Sequence, residues 1–302
     1  MCMELLPGET AVFHHISRFT GYQTKTDNEI EITSPILPKE AEKLFFNGDE
    51  TGLNCIGARP SMGKTTLMLQ KVLSAPGRKA YIYSPEIHAK KLIERMSTIL
   101  SNALSKEEYK QFNCHPGRYL SGLDIYICEC NIGVYELFDD LDRIEGDIYI
   151  DYLQMLRREG KTYPDELESE NTMDVLVSLA DNHAVTAFSQ INPIVEVRED
   201  HCPTIEDFRF FEMQVPMRAD KVSVFYSNEY YTGEIDDIHR SVFRFRILKP
   251  AESKENNSFE INLIRTALNE RLYCENGKYW YGERRPVFFA EGDGVKNAHS
   301  VR

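Results

Sequence analysis

The stretch Gly57-Ala-Arg-Pro-Ser-Met-Gly-Lys-Thr-Thr66 decides the fold. It fits the pattern G-x-x-x-x-G-K-T, in which Gly57 and Gly63 let backbone amides approach phosphate oxygens. Lys64 can then reach the β- and γ-phosphates, and the Thr65 hydroxyl can complete a Mg²⁺ shell. The residues that we predict to contact a nucleoside triphosphate are Gly57, Arg59, Ser61, Gly63, Lys64, Thr65 and Thr66.

The segments on both sides of this loop favour the same interpretation. The largely apolar run at residues 53–56 predicts a buried strand, and residues 65–73 have the spacing of a helix with one apolar face. A strand, a glycine loop and a helix in this order place phosphates at a helix N-terminus, where amides and the helix dipole favour anions. The alternative is a glycine turn that matches the pattern by chance.

The composition is that of an ordinary soluble protein. The chain has 302 residues, of which 42% are hydrophobic, and a formal net charge of −13. It lacks a signal sequence and any apolar run of about 18 residues, so we expect a cytoplasmic protein without a membrane partner. The acidic charge disfavours a surface that is basic throughout, but a local basic channel for nucleic acid remains compatible with it. The seven cysteines show no common zinc spacing, which favours reduced thiols.

Strands and helices alternate along most of the chain. Strand patterns recur at residues 79–84, 123–128, 147–151, 185–189 and 221–226, and helical patterns at 89–104, 134–143 and 172–183. Such alternation is typical of an α/β fold with a mainly parallel central sheet and helices on both faces. Two runs of period two, 241–248 and 258–264, predict an antiparallel edge hairpin, and Asn276-Gly277 predicts a second hairpin. We divide the chain into an N-terminal arm or linker (1–48), an ATPase domain (49–265), and a C-terminal hairpin with a flexible tail (266–302).

Asp151 ends the apolar strand pattern Ile148-Tyr-Ile-Asp151. A carboxylate at this place beside a phosphate loop is the expected partner of Mg²⁺, directly or through water. We therefore predict Thr65 and Asp151 as the metal residues. The alternative is an acid that merely ends a strand.

Four motifs occur together in one order: the phosphate loop, Ser84-Pro-Glu-Ile87, Ile150-Asp-Tyr-Leu-Gln154 and Ser189-Gln-Ile-Asn192. With them, residues 50–265 resemble the C-terminal motor domain of the DnaB replicative helicase family, within the RecA-like ATPases. The resemblance implies a RecA-like P-loop NTPase fold with ATP and Mg²⁺ as ligands. The implied partners are single-stranded DNA, further copies of the chain in a ring, and a replication protein.

The resemblance also assigns roles to single residues. Glu86 matches the glutamate that activates the attacking water, and Gln190 matches the residue that senses the γ-phosphate. Lys249 matches the lysine that reaches the neighbouring subunit's nucleotide, so with Lys64 these residues form the catalytic set. Two loops are implied to contact DNA, and their basic residues are Arg157, Arg158 and Lys161 in the first and Arg209 in the second. The alternative for the first loop is ordinary solvated charge.

The sequence departs from the family pattern at two places that bear on function. The family has Lys-x-Arg where this chain has Lys249-Pro-Ala251, so the arginine finger is absent, with Arg244 or Arg246 as possible substitutes. The second DNA loop continues with the bulky run Phe210-Phe-Glu-Met-Gln-Val-Pro216 instead of small residues and glycine. Three functions therefore stay open: a DNA helicase of a phage or mobile element, a related ATPase that acts as a loader or adaptor without unwinding, and a metabolic kinase, which the third and fourth motifs disfavour.

Overall fold

A nine-stranded sheet forms the centre of the fold. The structure is a computed structural model that describes residues 8–20, 46, 51–103, 108, 110, 116–156, 165–226, 240–249, 260–266, 272–275, 278–281 and 285–287. The strands are β1 (His14–His15), β2 (Gly52–Ala58), β3 (Ala80–Tyr83), β4 (Ile125–Cys128), β5 (Asp147–Asp151), β6 (Ala184–Gln190), β7 (Lys221–Tyr226), β8 (Arg240–Lys249) and β9 (Glu260–Thr266). Their spatial order is β1-β4-β3-β5-β6-β2-β7-β8-β9.

The direction of the strands confirms the predicted fold class. The strands from β4 to β7 in this order are parallel. β8 and β9 form the predicted antiparallel hairpin at one edge. At the other edge β1 pairs antiparallel with β4, which the sequence did not predict. The second predicted hairpin is also present, because β10 (Leu272–Glu275) and β11 (Lys278–Tyr281) pair antiparallel, and β12 (Arg285–Val287) extends them to a separate three-stranded sheet.

Helices cover both faces of the large sheet, as predicted. They are α1 (Ser17–Thr20), α2 (Lys64–Ser74), α3 (Ala89–Ala103), α4 (Pro116–Ser121), α5 (Val134–Leu141), α6 (Glu166–Ala180) and α7 (Gln214–Arg218). Side chains of α1 to α4 pack with Ile56, Ile82 and Ile127 on one face. Those of α5 to α7 pack with Cys55 and Ile150 on the other. Because successive side chains of a strand point to opposite faces, these continuously buried strands contribute to two separate apolar cores. Among the described helices, none is long and apolar enough to cross a membrane.

Helix α6 begins earlier than the predicted residue 172. It begins at Glu166 because Asp165 and Glu168 form a capping box, in which the Glu168 amide donates to Asp165 Oδ1 over 2.9 Å and the Asp165 amide to Glu168 Oε2 over 3.1 Å. It ends at Ala180 rather than at residue 183, because His183 leads into β6. The predicted domain division remains a prediction, since most of the first 50 residues and most of the tail lie outside the described part of the chain.

Gly57 is required by the packing of the sheet. It lies in β2, and a Cβ atom placed on it would meet Ile191 Cδ1 at 2.5 Å and Phe208 Cζ at 2.9 Å. Both neighbours are fully buried, so neither can move without disturbing the core. Core packing therefore requires a glycine at position 57 independently of any role in phosphate binding.

We expect the substitution Gly57→Ala to lower the free energy of unfolding by about 1–3 kcal/mol, the usual range for overpacking a core. The matched control is Gly77→Ala, because a Cβ at Gly77 meets nothing within 4 Å. Urea denaturation of both variants checks the difference. An unchanged midpoint for Gly57→Ala would show that Ile191 and Phe208 give way freely.

Candidate nucleotide-binding site

The phosphate loop connects the carboxyl end of β2 to the N-terminus of α2. Gly63 precedes the helix with a φ of 94°, a left-handed conformation that glycine adopts without strain. Ser61 also has a positive φ, 64°, which is uncommon for a residue with a side chain. Ser61 is exposed, whereas Thr66 is buried in the first turn of α2. The loop thus presents a helix N-terminus at the edge of the sheet where ligands of parallel α/β folds bind.

Lys64 folds back onto the phosphate loop. Its Nζ donates hydrogen bonds to the carbonyl oxygens of Ala58 and Arg59, each over 3.2 Å. Burial lowers the pKa of Lys64 to about 8, although the carboxylates of Asp151 and Glu86 act in the opposite direction. The ammonium group therefore loses its proton at a pH not far above neutral. Its two carbonyl partners can be replaced by phosphate oxygens.

A hydrogen bond joins the two predicted metal residues. Thr65 Oγ1 donates to Asp151 Oδ2 over 2.7 Å, and both residues are buried. Burial raises the pKa of Asp151, while the hydrogen bond from Thr65 and the charge of Lys64 lower it in part. The peptide bond between Asp151 and Tyr152 is cis. The structure thus brings the hydroxyl and the carboxylate that the sequence assigned to Mg²⁺ into direct contact.

Ser84 adds an oxygen to this place that the sequence analysis did not assign. It follows β3, where the pairing of Tyr83 with Ile150 puts it next to Asp151 and on the same face of the sheet. Its Oγ is buried and has no hydrogen-bond partner within the described residues. Hydroxyl and carboxylate oxygens are the ligands that Mg²⁺ and its waters prefer. The donor set of Thr65, Asp151 and Ser84 therefore fits a hydrated Mg²⁺ ion.

Glu86 lies in the turn between β3 and α3 and is exposed. Its charge raises the pKa of both Lys64 and Asp151, so it belongs to the same electrostatic environment as the phosphate loop. Arg95 of α3, to which the sequence gave no role, lowers the pKa of Asp151 from the other side. The predicted water-activating glutamate is thus close to the predicted metal residues and free to contact solvent.

The predicted sensor Gln190 ends β6, the strand between β2 and β5 in the sheet. Its backbone amide donates to the side chain of Gln154 over 3.1 Å, and its carbonyl accepts from the Arg209 amide over 3.2 Å. Gln154, which also lacked an assigned role, is buried. The end of the sensor strand is therefore connected to the segment that carries Arg209.

Arg59 is held by its own chain rather than left in solvent. Its Nη2 lies 2.6 Å from Glu196 Oε1, and its Nη1 donates to the Ile191 carbonyl over 2.9 Å. Because this ion pair occupies the guanidinium group, a contact between Arg59 and nucleotide would require the pair to open. The nucleotide contact of Arg59 therefore remains a prediction.

Lys249 ends β8, which is separated from β2 and its phosphate loop by β7. β8 runs antiparallel to β7, so Lys249 pairs with Val222 near the start of β7 while Arg246 pairs with Val224 closer to its end. The Lys249 Nζ donates to the carbonyl oxygens of Pro216 and Ala219 at the end of α7. Arg246 contacts Cys202 Sγ at 3.4 Å. Lys249 thus lies level with Cys55 in the middle of β2, where its charge lowers the pKa of the Cys55 thiol against the effect of burial, and its ammonium is bound by the end of α7.

The candidate DNA residues are only partly within the described structure. Arg157, Arg158 and Lys161 lie outside it. The Arg209 guanidinium lies 4.8 Å from the centre of the Phe210 ring, a cation–π geometry. Arg218, the end of the second loop, forms ion pairs with Glu170 and Asp174 of α6 and is therefore part of the scaffold. The same loop is fixed at its start by Asp207, whose Oδ1 accepts from Arg198 over 2.7 Å.

Comparison with known proteins agrees with this geometry. The family model for the DnaB-like helicase C-terminal domain matches residues 43–257. A probable replicative DNA helicase of Guillardia theta is 30% identical over 191 residues, which cover 56% of this chain and 32% of that protein. The replicative DNA helicase DnaB of Rickettsia felis is 25% identical over 235 residues, which cover 68% and 47%. The chain thus spans about a third to a half of the length of these relatives.

Two solved structures share the fold. One of them, described as an ATPase domain, is 20% identical with a TM-score of 0.60, and the match covers 78% of this chain and 89% of that one. The other, a DnaB-like replicative helicase studied with its interactions with primase, is 20% identical with a TM-score of 0.58, and the match covers 80% and 64%. At this identity the likeness concerns the fold alone, and it agrees with the predicted α/β fold with a mainly parallel sheet.

The lowered pKa of Lys64 predicts how nucleotide binding depends on pH. Phosphate oxygens favour the ammonium form, which is lost as the pH rises through about 8. We therefore expect the affinity for ATP to fall above this pH, by up to about tenfold for each further unit. Titration with a fluorescent ATP analogue between about pH 7 and 9.5 measures it, a range that brackets this pKa. In the Lys64→Ala control, binding should be weaker and show no such step, and a step of equal size there would assign it to another group.

Proposed function

The chain belongs to the family of DnaB-like helicase C-terminal domains, a family of P-loop ATPases, and we propose that it hydrolyses ATP to move on single-stranded DNA in replication. The observation that carries this proposal is the contact between Thr65 and Asp151, 2.7 Å long, beside the buried Lys64. These groups come from separate motifs and meet at the carboxyl edge of the parallel sheet. A phage or mobile-element origin remains a prediction.

The proposed chemistry assigns one task to each group of the site. Lys64 releases its two carbonyl partners and neutralises charge on the β- and γ-phosphates. Bound Mg²⁺, held by Thr65 and through water by Asp151, would supply positive charge for the phosphate oxygens. Glu86 orients a water in line with the γ-phosphate and accepts its proton, which its exposed position permits. Gln190, at the end of β6, contacts the γ-phosphate.

We further propose that the active form is a ring in which neighbouring chains complete each site. Lys249 supports this arrangement, because its ammonium is directed to the end of α7 rather than to the phosphate loop of its own chain. A head-to-tail contact between identical chains brings two different surfaces together, so the Lys249 of one copy can face the phosphate loop of the next. In this assembly, Lys249 would exchange the carbonyls of Pro216 and Ala219 for the phosphates of the neighbouring site.

Two loops are the proposed DNA contacts. The first contains Arg157, Arg158 and Lys161, and it follows the strand that ends in Asp151. The second contains Arg209 and is linked to the end of β6. Phosphate contacts from these cations would provide affinity with little sequence preference.

The hydrogen bonds of Lys249 also favour a second candidate function. Its ammonium is bound within its own chain, and the arginine that the family has two residues later is absent. A site without an arginine finger can lose about 10³-fold or more in rate. The second candidate is therefore an ATP-gated loader or assembly factor that does not unwind DNA.

We predict that Glu86→Gln keeps ATP binding and lowers turnover by about 10²- to 10⁴-fold, the usual contribution of a general base. Phosphate release measures turnover, and a fluorescent nucleotide measures binding. The matched control is Glu94→Gln, because Glu94 is an exposed glutamate on the neighbouring helix α3. Equal turnover in Glu86→Gln and the unmodified protein would exclude Glu86 as the base.

The proposed function is tested by the ATPase rate at increasing protein concentration, with and without an oligo-dT strand. A ring motor predicts that the rate per chain rises with concentration, because sites are completed between copies, and rises again with the oligonucleotide. Slow turnover that is independent of both supports the loader or assembly factor. Absence of oligo-dT binding at low salt contradicts the motor.

The variant for the DNA contact is Arg157→Ala with Arg158→Ala. Loss of two phosphate contacts should weaken oligo-dT binding and reduce its logarithmic salt slope by about 1.4. Arg143→Ala serves as the control, because Arg143 is exposed and precedes β5 at the opposite edge of the sheet. An unchanged slope in the double variant would leave Arg157 and Arg158 as ordinary surface charge.

A further inference from the structure

One buried side chain joins three segments of the proposed motor. Gln154 lies in the short 3₁₀ turn Leu153–Met155 that directly follows β5, and 2% of its surface is exposed. Its Nε2 donates to Ser189 Oγ over 2.9 Å and to the Arg209 carbonyl over 2.7 Å. Its Oε1 accepts from the Gln190 amide over 3.1 Å. One amide thus contacts the sensor strand and the second proposed DNA loop.

The pattern of partners requires the chemistry of an amide. The Gln190 N–H needs an acceptor, and the Arg209 carbonyl needs a donor, so the side chain must offer both. A carboxylate supplies the acceptor alone, and an apolar side chain supplies neither. Ser189 is buried, and Gln190 and Arg209 are half-buried, so losing one of these bonds removes a partner from a polar group with limited access to solvent.

Gln154 is also close in sequence to the predicted metal residue and to the first proposed DNA loop. It stands three residues after Asp151 and three before Arg157, the first cation of the other proposed DNA loop. The segment that Gln154 contacts at Arg209 is itself joined to the end of β6, since the Arg209 amide donates to Gln190 and the Asn192 amide donates to Asp207 over 2.7 Å. A shift of any of these segments must therefore move or break bonds of the Gln154 amide.

We propose that Gln154 is a positioning residue that couples the nucleotide site to the second proposed DNA loop. In this role it fixes the end of the sensor strand relative to Asp151 and passes a movement of Gln190 to the segment of Arg209. The role rests on the proposed function for the identity of the DNA, but the coupling between the nucleotide and residues 205–213 does not. It acts through other residues and contacts no reacting atom.

The test compares the full chain with Gln154→Glu, which keeps the shape and the acceptor and removes both donors. Hydrogen–deuterium exchange with and without ATPγS reports the coupling directly. In the unmodified protein we expect ATPγS to change exchange at residues 60–68 and also at 205–213. In Gln154→Glu the change at 60–68 should persist, and that at 205–213 should fall by at least about fivefold. Asn182→Asp is the matched control, because it makes the same change from amide to carboxylate at an exposed residue that precedes β6, and it should keep both changes.

Two outcomes overturn the proposal. One is a nucleotide response at 205–213 that is unaltered in Gln154→Glu, and the other is the lack of any such response in the unmodified protein. If Gln154→Glu fails to fold or to bind ATPγS, Ser189→Ala decides. This variant removes one partner of the amide and should reduce the response at 205–213 while sparing that at 60–68, and an unaltered response overturns the proposal.

The ATPase assay separates this inference from the proposed function. If oligo-dT stimulates the unmodified protein, the stimulation, measured as the ratio of the rates with and without oligo-dT, should fall by at least about fivefold in Gln154→Glu. Full stimulation in that variant contradicts the coupling role. If oligo-dT does not stimulate the unmodified protein, the motor fails as the proposed function, and the exchange experiment still decides the role of Gln154.

Discussion

The hydrogen bond between Thr65 and Asp151 depends on the order of the strands. Thr65 follows β2 and Asp151 ends β5, and these strands are separated by β6. The bond can form only if β2, β6 and β5 are parallel and end at the same edge, because then the first turn of α2 can reach across the intervening strand. The parallel crossovers that bury the two apolar cores thus also assemble the site, and the end of β6 with Gln190 lies between its two halves.

Burial sets the electrostatics of this edge. Lys64 and Asp151 are both nearly inaccessible to solvent, and burial shifts the pKa of each toward its neutral form. Each charge partly offsets the shift of the other, and Glu86 acts on both. A nucleotide with its metal ion would bring charges of both signs into a region that solvates neither well alone.

The sequence predicted the parts of the fold that depend on local patterns. The alternation of apolar residues identified β5 and its terminal carboxylate, and the glycine motif identified the loop. It missed β1, because two residues carry no period, and it placed the start of α6 too late although Asp165 and Glu168 have capping-box spacing. The contacts of Gln154 with residues 35 and 55 positions away, and those of Lys249 with residues 33 and 30 positions away, could not be predicted. These contacts depend on how distant segments pack against each other. The periodicity of a single sequence predicts helices and strands but not that packing.

The hydrogen bonds that Lys64 makes within its own chain determine what a measured affinity for phosphate reports. Its Nζ donates to the carbonyls of Ala58 and Arg59, so the ammonium already has two oxygen partners before a nucleotide arrives. Binding is then a ligand exchange, and the measured affinity reports the difference between phosphate and carbonyl oxygens rather than the full strength of the new bonds. After product release the same carbonyls can recapture the ammonium, which gives the loop a defined resting arrangement between turnovers.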